Sequence, residues 1–230
     1  QCGYDGYNEY DRNGHKTRIF SVNDKGLTKS RNYAIKHSEA DVCLLCDDDE
    51  VFSRNYEEGI LTAYRDLPEA DVIIFNIGNR PAHWGDMPKK LGYLDLMHVA
   101  SWQISFKRES IVNNNVYFDE HMGAGSGNGA EEEFRFLTDC RKNGLAIYYV
   151  PFVIADVAQT KSTWFKGYNE EFFINRGNTT RYIMGYVPAV LYAAYYSIRK
   201  RHQFDSDISW FKAFRLIMKG IHENRLGKKK

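Results

Sequence analysis

Four cysteines in 230 residues, at positions 2, 43, 46 and 140, are too few and too scattered for the disulfide framework of a small secreted domain. Reduced thiols and a cytosolic setting are expected. Cys43 and Cys46 form a C-x-x-C pair, but it lies inside the apolar run 42–46 rather than at a helix start, where a redox thiolate is stabilised, so both read as core cysteines. Proline is scarce, at 5, and there is no low-complexity tract or internal repeat, which excludes global disorder. Charge of one sign is not in excess: 31 Lys+Arg stand against 30 Asp+Glu, a net +1, which argues against a wholesale nucleic-acid binder. A spanning helix needs about 20 predominantly apolar residues, and the nearly uncharged run 183–198 has 16. The seven histidines show no metal-ligand spacing and are read as surface or core. The first residues are polar and begin with Gln1, with no charged segment leading into an apolar one. No secretory leader is expected, and the sequence reads as starting inside a longer gene product.

The chain does have 43% hydrophobic and 15% aromatic residues, enough for one large core or two small ones. Its charge is uneven. Residues 181–230 hold 11 Lys+Arg and 3 Asp+Glu, leaving 20 against 27 for residues 1–180, so an acidic body carries a basic tail. Short β-branched and aromatic runs at 17–22, 41–46, 71–77, 102–107 and 146–153 alternate with helical stretches at 27–37, 55–65 and 134–143, the pattern of an α/β domain. Thr28 is placed to cap the first helix. Residues 79–97, with two prolines and two glycines, have no clear period and read as a long surface excursion. After Ala158 the character changes. Residues 162–182 are rich in aromatics and Asn, the run 183–198 is followed by Arg199-Lys200-Arg201-His202, and 208–221 sets apolar residues among Lys212, Arg215 and Lys219. Apolar helices bordered by cations suit the surface of an anionic leaflet; the plainer alternative is that they cover the α/β core.

Asp47-Asp48-Asp49-Glu50 directly follows the apolar run 42–46. Adjacent carboxylates repel unless a cation or solvent relieves them, and in open α/β sheets ligands gather beyond the carboxyl ends of strands. Mg2+ or Mn2+, bound through one or two carboxylates and completed by water and phosphate oxygens, fits such a cluster. The alternative is a solvated acidic turn that caps the next helix. A second motif places glycines at 123, 125, 127 and 129 before Ala130-Glu131-Glu132-Glu133. Three glutamates at a helix start would repel phosphate, and no Lys-Ser/Thr pair follows, so a phosphate loop is excluded. A carboxylate presented at a helix N-terminus, where the dipole favours its charge, suits a general base; simple helix stabilisation of about 0.3–1 kcal/mol per glutamate is the alternative.

The string Gly26-Leu27-Thr28-Lys29-Ser30-Arg31-Asn32-Tyr33-Ala34-Ile35, the acidic stretch 41–50, residues 129–136 and residues 144–151 together closely resemble the family-two glycosyltransferases of GT-A fold, in particular bacterial members that build capsular, O-antigen or exopolysaccharide chains. The resemblance covers roughly residues 15–155. It implies a GT-A (Rossmann-like) mixed sheet with flanking helices over 1–158, followed by C-terminal amphipathic helices in an aromatic-rich, basic, membrane-proximal region over 159–230. It also implies an inverting transferase that takes a sugar from a nucleotide-diphosphate sugar to a glycan or lipid-linked acceptor, using Mn2+ or Mg2+, at the inner face of the cell membrane. Carried over by position, Asp47 and Asp49 match the ends of the DXD motif, with Asp47 on the ribose and Asp49 on the metal. Asp48 lies between them, and Arg31 matches the position that contacts the diphosphate. The family's Glu-Asp pair falls on Glu132-Glu133, with Glu133 in place of Asp, so the base is Glu132 or Glu133, with Glu131 also within reach. Family members open with a strand, loop and helix that bear the base-contacting Asp, and the expectation is that this part of the domain is missing here.

Trp84, Trp102 and Trp164 lie in or near loops and are candidates to stack on sugar faces, Trp164 as an acceptor contact. Asp156 is a candidate third metal ligand. Two other classes compete: a sugar nucleotidyltransferase, which would bring a basic Gly-rich N-terminal loop, and an impaired, transferase-like binding module.

Overall fold

In a computed structural model, residues 4–12, 14–82, 84–126, 131–158 and 167–229 are described. They fall in two compact units, Gln1–Ala158 and Gln159–Lys230. In the first unit the elements run β1 (Gly6–Arg12), β2 (His15–Ser21), α1 (Leu27–His37), β3 (Val42–Leu44), β4 (Glu50–Phe52), α2 (Tyr56–Asp66), β5 (Val72–Ile77), β6 (Lys89–Lys90), β7 (Ile104–Lys107), α3 (Arg108–Asn113), α4 (Glu132–Lys142) and β8 (Ile147–Val157).

The strand with the most continuous apolar sequence takes the centre of the sheet, because it is the one that can be covered on both faces. That strand is β5, whose residues are all buried except Asn76. Around it the order is β3-β7-β5-β8-β4, with β6 on β8. The β5–β8 pair is parallel and the other pairs are antiparallel, so the sheet is mixed, as the sequence led us to expect. Helix α2 lays Ile60, Ala63 and Tyr64 against Ile73, Phe75 and Ile77 of β5 and against Ile154 and Val157 of β8. It can approach because Gly59 faces the ring of Phe152 where any Cβ would clash. Each such fully buried Ile or Phe contributes about 1.5–3 kcal/mol relative to exposure.

Several local expectations need correction. β1 and β2 form a separate antiparallel hairpin with Gly6 opposite Ser21; Tyr7 and Tyr10 of β1 are exposed, so an apolar pattern could not announce that strand. Thr28 is not a cap. It lies inside α1, buried, with its hydroxyl donating to the Met122 carbonyl at 3.0 Å, and Gly26 takes the N-cap position. Among the described cysteines Cys140 is buried, Cys43 is half-buried and Cys46 is exposed, because β3 ends at Leu44 and the chain leaves the sheet two residues later.

The second unit is helical: α5 (Glu170–Met184), α6 (Tyr186–Arg199) and α7 (Trp210–Glu223). Asn169 caps α5 by accepting from the Phe172 N–H at 2.9 Å. The run 183–198 is not one helix. Gly185, at φ 86° and ψ 179°, breaks it between α5 and α6, and Pro188 falls in the first turn of α6, where its missing N–H is not needed. Helices α5 and α7 touch backbone to backbone, with Gly177 over the Ile217 carbonyl and Gly220 over the Ile174 carbonyl. Phe173, Ala193, Tyr196, Phe204 and Ile217 fill this unit's core. α7 is amphipathic, with Ala213, Ile217 and Ile221 buried and Trp210 and Phe211 exposed. Among the described residues no helix is long and apolar enough to cross a membrane.

Candidate functional site

Beyond the carboxyl end of β3, Leu45 extends the ladder by donating to the Ile104 carbonyl at 2.9 Å, and the chain then turns through Asp47, Asp48 and Asp49 into β4. The turn is closed from inside. The Asp47 N–H donates to Glu50 Oε1 at 2.7 Å, and the Asp49 carbonyl accepts from the Ala158 N–H at 2.8 Å. The acidic stretch therefore opens a strand and caps no helix. Its members differ in surroundings: Asp48 points into solvent, whereas Asp47 and Asp49 are half-buried. Asp47 Oδ2 accepts from the Ser101 hydroxyl at 3.4 Å. Asp49 Oδ2 and Glu50 Oε2 are buried without a hydrogen-bond partner. Burial, and then the charges of Asp47 and Asp49, push the Glu50 carboxyl up to about 7 against the restraining Asp47 N–H.

Helix α1 brings Arg31 to this turn, and α4 brings Glu132. The guanidinium, 9% exposed, places Nη1 3.1 Å from Glu132 Oε1 and Nη2 3.6 Å from Asp47 Oδ1, so it joins two acidic motifs 85 residues apart in sequence. Its Cζ lies 5.3 Å from the Phe118 ring centroid. Asn32 holds Phe118 there, accepting from its N–H at 2.8 Å and donating to its carbonyl at 2.9 Å. Asn32 had no assigned role in the sequence; its place beside Arg31 in a helix was the available signal.

The glycine run serves this arrangement. Gly123, at φ +85°, packs where a Cβ would lie 3.0 Å from Thr28 Cγ2, and Gly125, at φ +86°, packs against Gly26. The Ala124 carbonyl accepts from the Leu27 N–H at 2.9 Å. The first part of the run is thus a brace for the start of α1. Gly127 and Gly129 lie outside the described residues. Glu131 precedes α4 in the left-handed region at φ 68°, a conformation that costs about 1–3 kcal/mol for a non-glycine residue and clusters at functional sites.

Glu132 and Glu133 both occupy the first turn of α4, but in unlike settings. Glu132 is 7% exposed and carries the ion pair to Arg31. Glu133 has a buried Oε2 without a partner. Burial first, and the Glu132 charge second, push its carboxyl up to about 8, so Glu133 is the member that keeps its proton at neutral pH.

Other candidates separate from this cluster. The Trp84 indole N–H donates to Asp95 Oδ1 at 3.1 Å, and its ring packs 5.1 Å from Tyr149, so it is committed to packing. Trp102 lies beside Ser101, with the Arg80 guanidinium 5.3 Å from its ring. Trp164 lies outside the described residues. Asp156 is exposed on β8, opposite Val51, with its carboxylate beside Gly78. Among the described residues no three His, Cys, Asp or Glu side chains gather as a ligand set. Desolvation of the sulfur and the nearby acids push the Cys46 thiol up, away from a nucleophile. The partnerless Asp49 Oδ2 is the atom that fits a hard divalent ion, since Mg2+ or Mn2+ takes one or two carboxylates and fills its remaining positions from water and phosphate.

A family model described as Glycosyl transferase family 2 matches residues 6–132, more than half of the chain. No curated protein sequence matches it. Similar solved structures include S. aureus TarS 1-349 in complex with UDP-GlcNAc, with TM-score 0.54 and 15% identity, over 85% of this chain and 62% of that one. The same protein in complex with UDP gives 0.51 and 16%, over 85% and 61%. S. aureus TarS gives 0.53 and 16%, over 86% and 37%. The chain therefore spans less than two thirds of these proteins. At such identity the likeness is one of fold, an α/β mixed sheet with flanking helices.

Proposed function

The chain belongs to glycosyl transferase family 2, and from that premise we propose that it moves a sugar from a nucleoside-diphosphate sugar to a hydroxyl of a glycan or lipid-linked acceptor, with inversion, in cell-surface polysaccharide synthesis. The observation that carries the proposal is the Arg31 guanidinium lying between Asp47 of the acidic turn and Glu132 at the start of α4. A cation at that point neutralises charge on a departing diphosphate, and a carboxylate beside it serves the attacking hydroxyl. That TarS has been crystallised with UDP-GlcNAc and with UDP supports a nucleotide-sugar donor.

In this reading Asp47, steadied by Ser101, receives the nucleoside and Asp48 faces it from solvent. Asp49 would hold Mn2+ or Mg2+, which when bound supplies positive charge to the diphosphate. Glu132 accepts the proton of the acceptor hydroxyl as its oxygen attacks the anomeric carbon. The bond from that carbon to the diphosphate oxygen breaks on the opposite face, and the electron pair leaves with the nucleotide. One in-line displacement through an oxocarbenium-like transition state inverts the centre. Glu133, protonated, shields Glu132 from a second negative charge, and Glu131 starts the helix that presents them both. Residues 1–158 form the transferase unit, and residues 159–230 rest on the inner face of the cell membrane.

Incubation of the chain with UDP- and GDP-sugars and a lipid-linked or oligosaccharide acceptor tests this. Product with inverted anomeric configuration, absent with Glu132→Gln, supports it; product of retained configuration contradicts the single displacement, and nucleotide bound without transfer favours the impaired binding module.

A further inference from the structure

Three groups of the chain share the Arg31 guanidinium: Glu132 at 3.1 Å, Asp47 at 3.6 Å and the Phe118 ring at 5.3 Å. With 9% of its side chain exposed, this cation rests on protein anions and little on water. The backbone of Phe118 is held by the paired hydrogen bonds of Asn32 and its ring stacks on Phe136 at 4.2 Å, so the seat is held from two sides and the choice of anion is what can change. A diphosphate arriving beside Asp47 offers oxygens in a fork that matches a guanidinium, whereas Glu132 receives a single bond from it. Glu132 and the diphosphate therefore compete for one cation.

We propose that the donor's diphosphate takes Arg31 away from Glu132, so that the Glu132 carboxylate is freed to accept a proton only when the donor is in place. The exchange rests on the donor-site reading above. It makes Arg31 a coupling residue. With no donor present, the base is held by its ion pair and leaves acceptor hydroxyls and water alone; with donor present, Glu132 turns to the acceptor. Productive binding is then ordered, donor first, and the competition is reciprocal: whatever weakens Glu132's hold on Arg31 strengthens nucleotide binding by the same factor.

A double-mutant cycle read by calorimetry tests this, with UDP and GDP as probes in the presence of Mn2+, on the wild-type chain, Glu132→Gln, Arg31→Ala and the double variant. Glu132→Gln is expected to tighten nucleotide binding about fivefold or more, the low end of a typical coupling between two sites, and to change it less than about twofold once Arg31 is already Ala. Unchanged or weaker binding by Glu132→Gln overturns the exchange. Equal tightening in both backgrounds also overturns it, because that is general relief of negative charge. A folded wild-type chain that binds neither nucleotide overturns the donor-site reading, and the exchange falls with it. Arg31→Ala strands the buried Glu132 and can unfold the chain, so the Arg31–Glu132 contact is also read in the wild-type chain from crystal structures with and without UDP and Mg2+. Loss of the 3.1 Å contact when UDP is bound supports the exchange, and its retention overturns it.

Discussion

Glu132 and Glu133 are neighbours in one helical turn, and their surroundings set them to different work. Arg31 engages Glu132, while burial keeps the proton on Glu133. Glu132→Gln should lower sugar transfer by about 10²–10⁴-fold, the usual contribution of a general base, while Glu133→Gln, which swaps one neutral group for another, should change it only severalfold. Initial rates with saturating donor check both. The Glu133 proton also has a stability consequence. Between the ordinary carboxyl value near 4.5 and the folded value of about 8, the folded chain binds a proton that the unfolded chain has lost. Stability should therefore fall as pH rises across that window, and Glu133→Gln should flatten the dependence in urea melts. At this scale the sequence was legible where chemistry is clustered: Asp47–Asp49, Arg31 and the glutamate pair all reach the same end of the sheet or its ion-pair partner. It was silent on which carboxylate is paired and which protonated, because that is decided by a contact between residues 31 and 132.

At the scale of elements, glycines mark the places where backbones meet. A Cβ at Gly177 or Gly220 would run into a carbonyl of the facing helix. Gly177→Ala should therefore destabilise the helical unit by about 1–3 kcal/mol, the range for overpacking, seen as a lowered melting temperature of that unit. Gly123→Ala adds left-handed strain beside Thr28 and Glu132, and should reduce transfer more than it reduces stability. Helix α1 could be read to its last residue because Leu27, Arg31, Ala34 and Ile35 keep helical spacing; β5 could be read because an unbroken β-branched run has few other fates. The elements that escaped reading have weak patterns. β4 is three residues long and β6 two, and α5 carries Asn178, Thr179 and Thr180, three polar side chains that become buried only through packing on the other helices. Gly185 ended a run that composition alone made continuous.

At the scale of the whole molecule, an acidic sheet unit and a basic helical unit divide the proposed labour. Outward-facing Val187, Leu191, Tyr195 and Ile198 form an apolar stripe on α6 that runs into Arg199 and Arg201, a pattern suited to an anionic lipid surface. The chain should sediment with vesicles containing phosphatidylglycerol and not with pure phosphatidylcholine. Leu191→Glu should weaken that binding about tenfold without lowering the melting temperature; equal binding to both vesicles would contradict the assignment. The change of composition after Ala158 coincides with the boundary between the two compact units; β2 was read in part as the run 17–22, whereas β1, its partner in a hairpin apart from the main sheet, was not legible, since Tyr7 and Tyr10 are exposed. The central claim is that Arg31 and the turn Asp47–Asp49 form a nucleotide-diphosphate site. It is tested most directly by calorimetry of UDP and GDP on the wild-type chain and on Asp49→Ala, in Mn2+ and in EDTA. One nucleotide should bind in Mn2+, and binding should vanish in EDTA and in folded Asp49→Ala. Binding indifferent to both, or no binding by the folded wild-type chain, would contradict it.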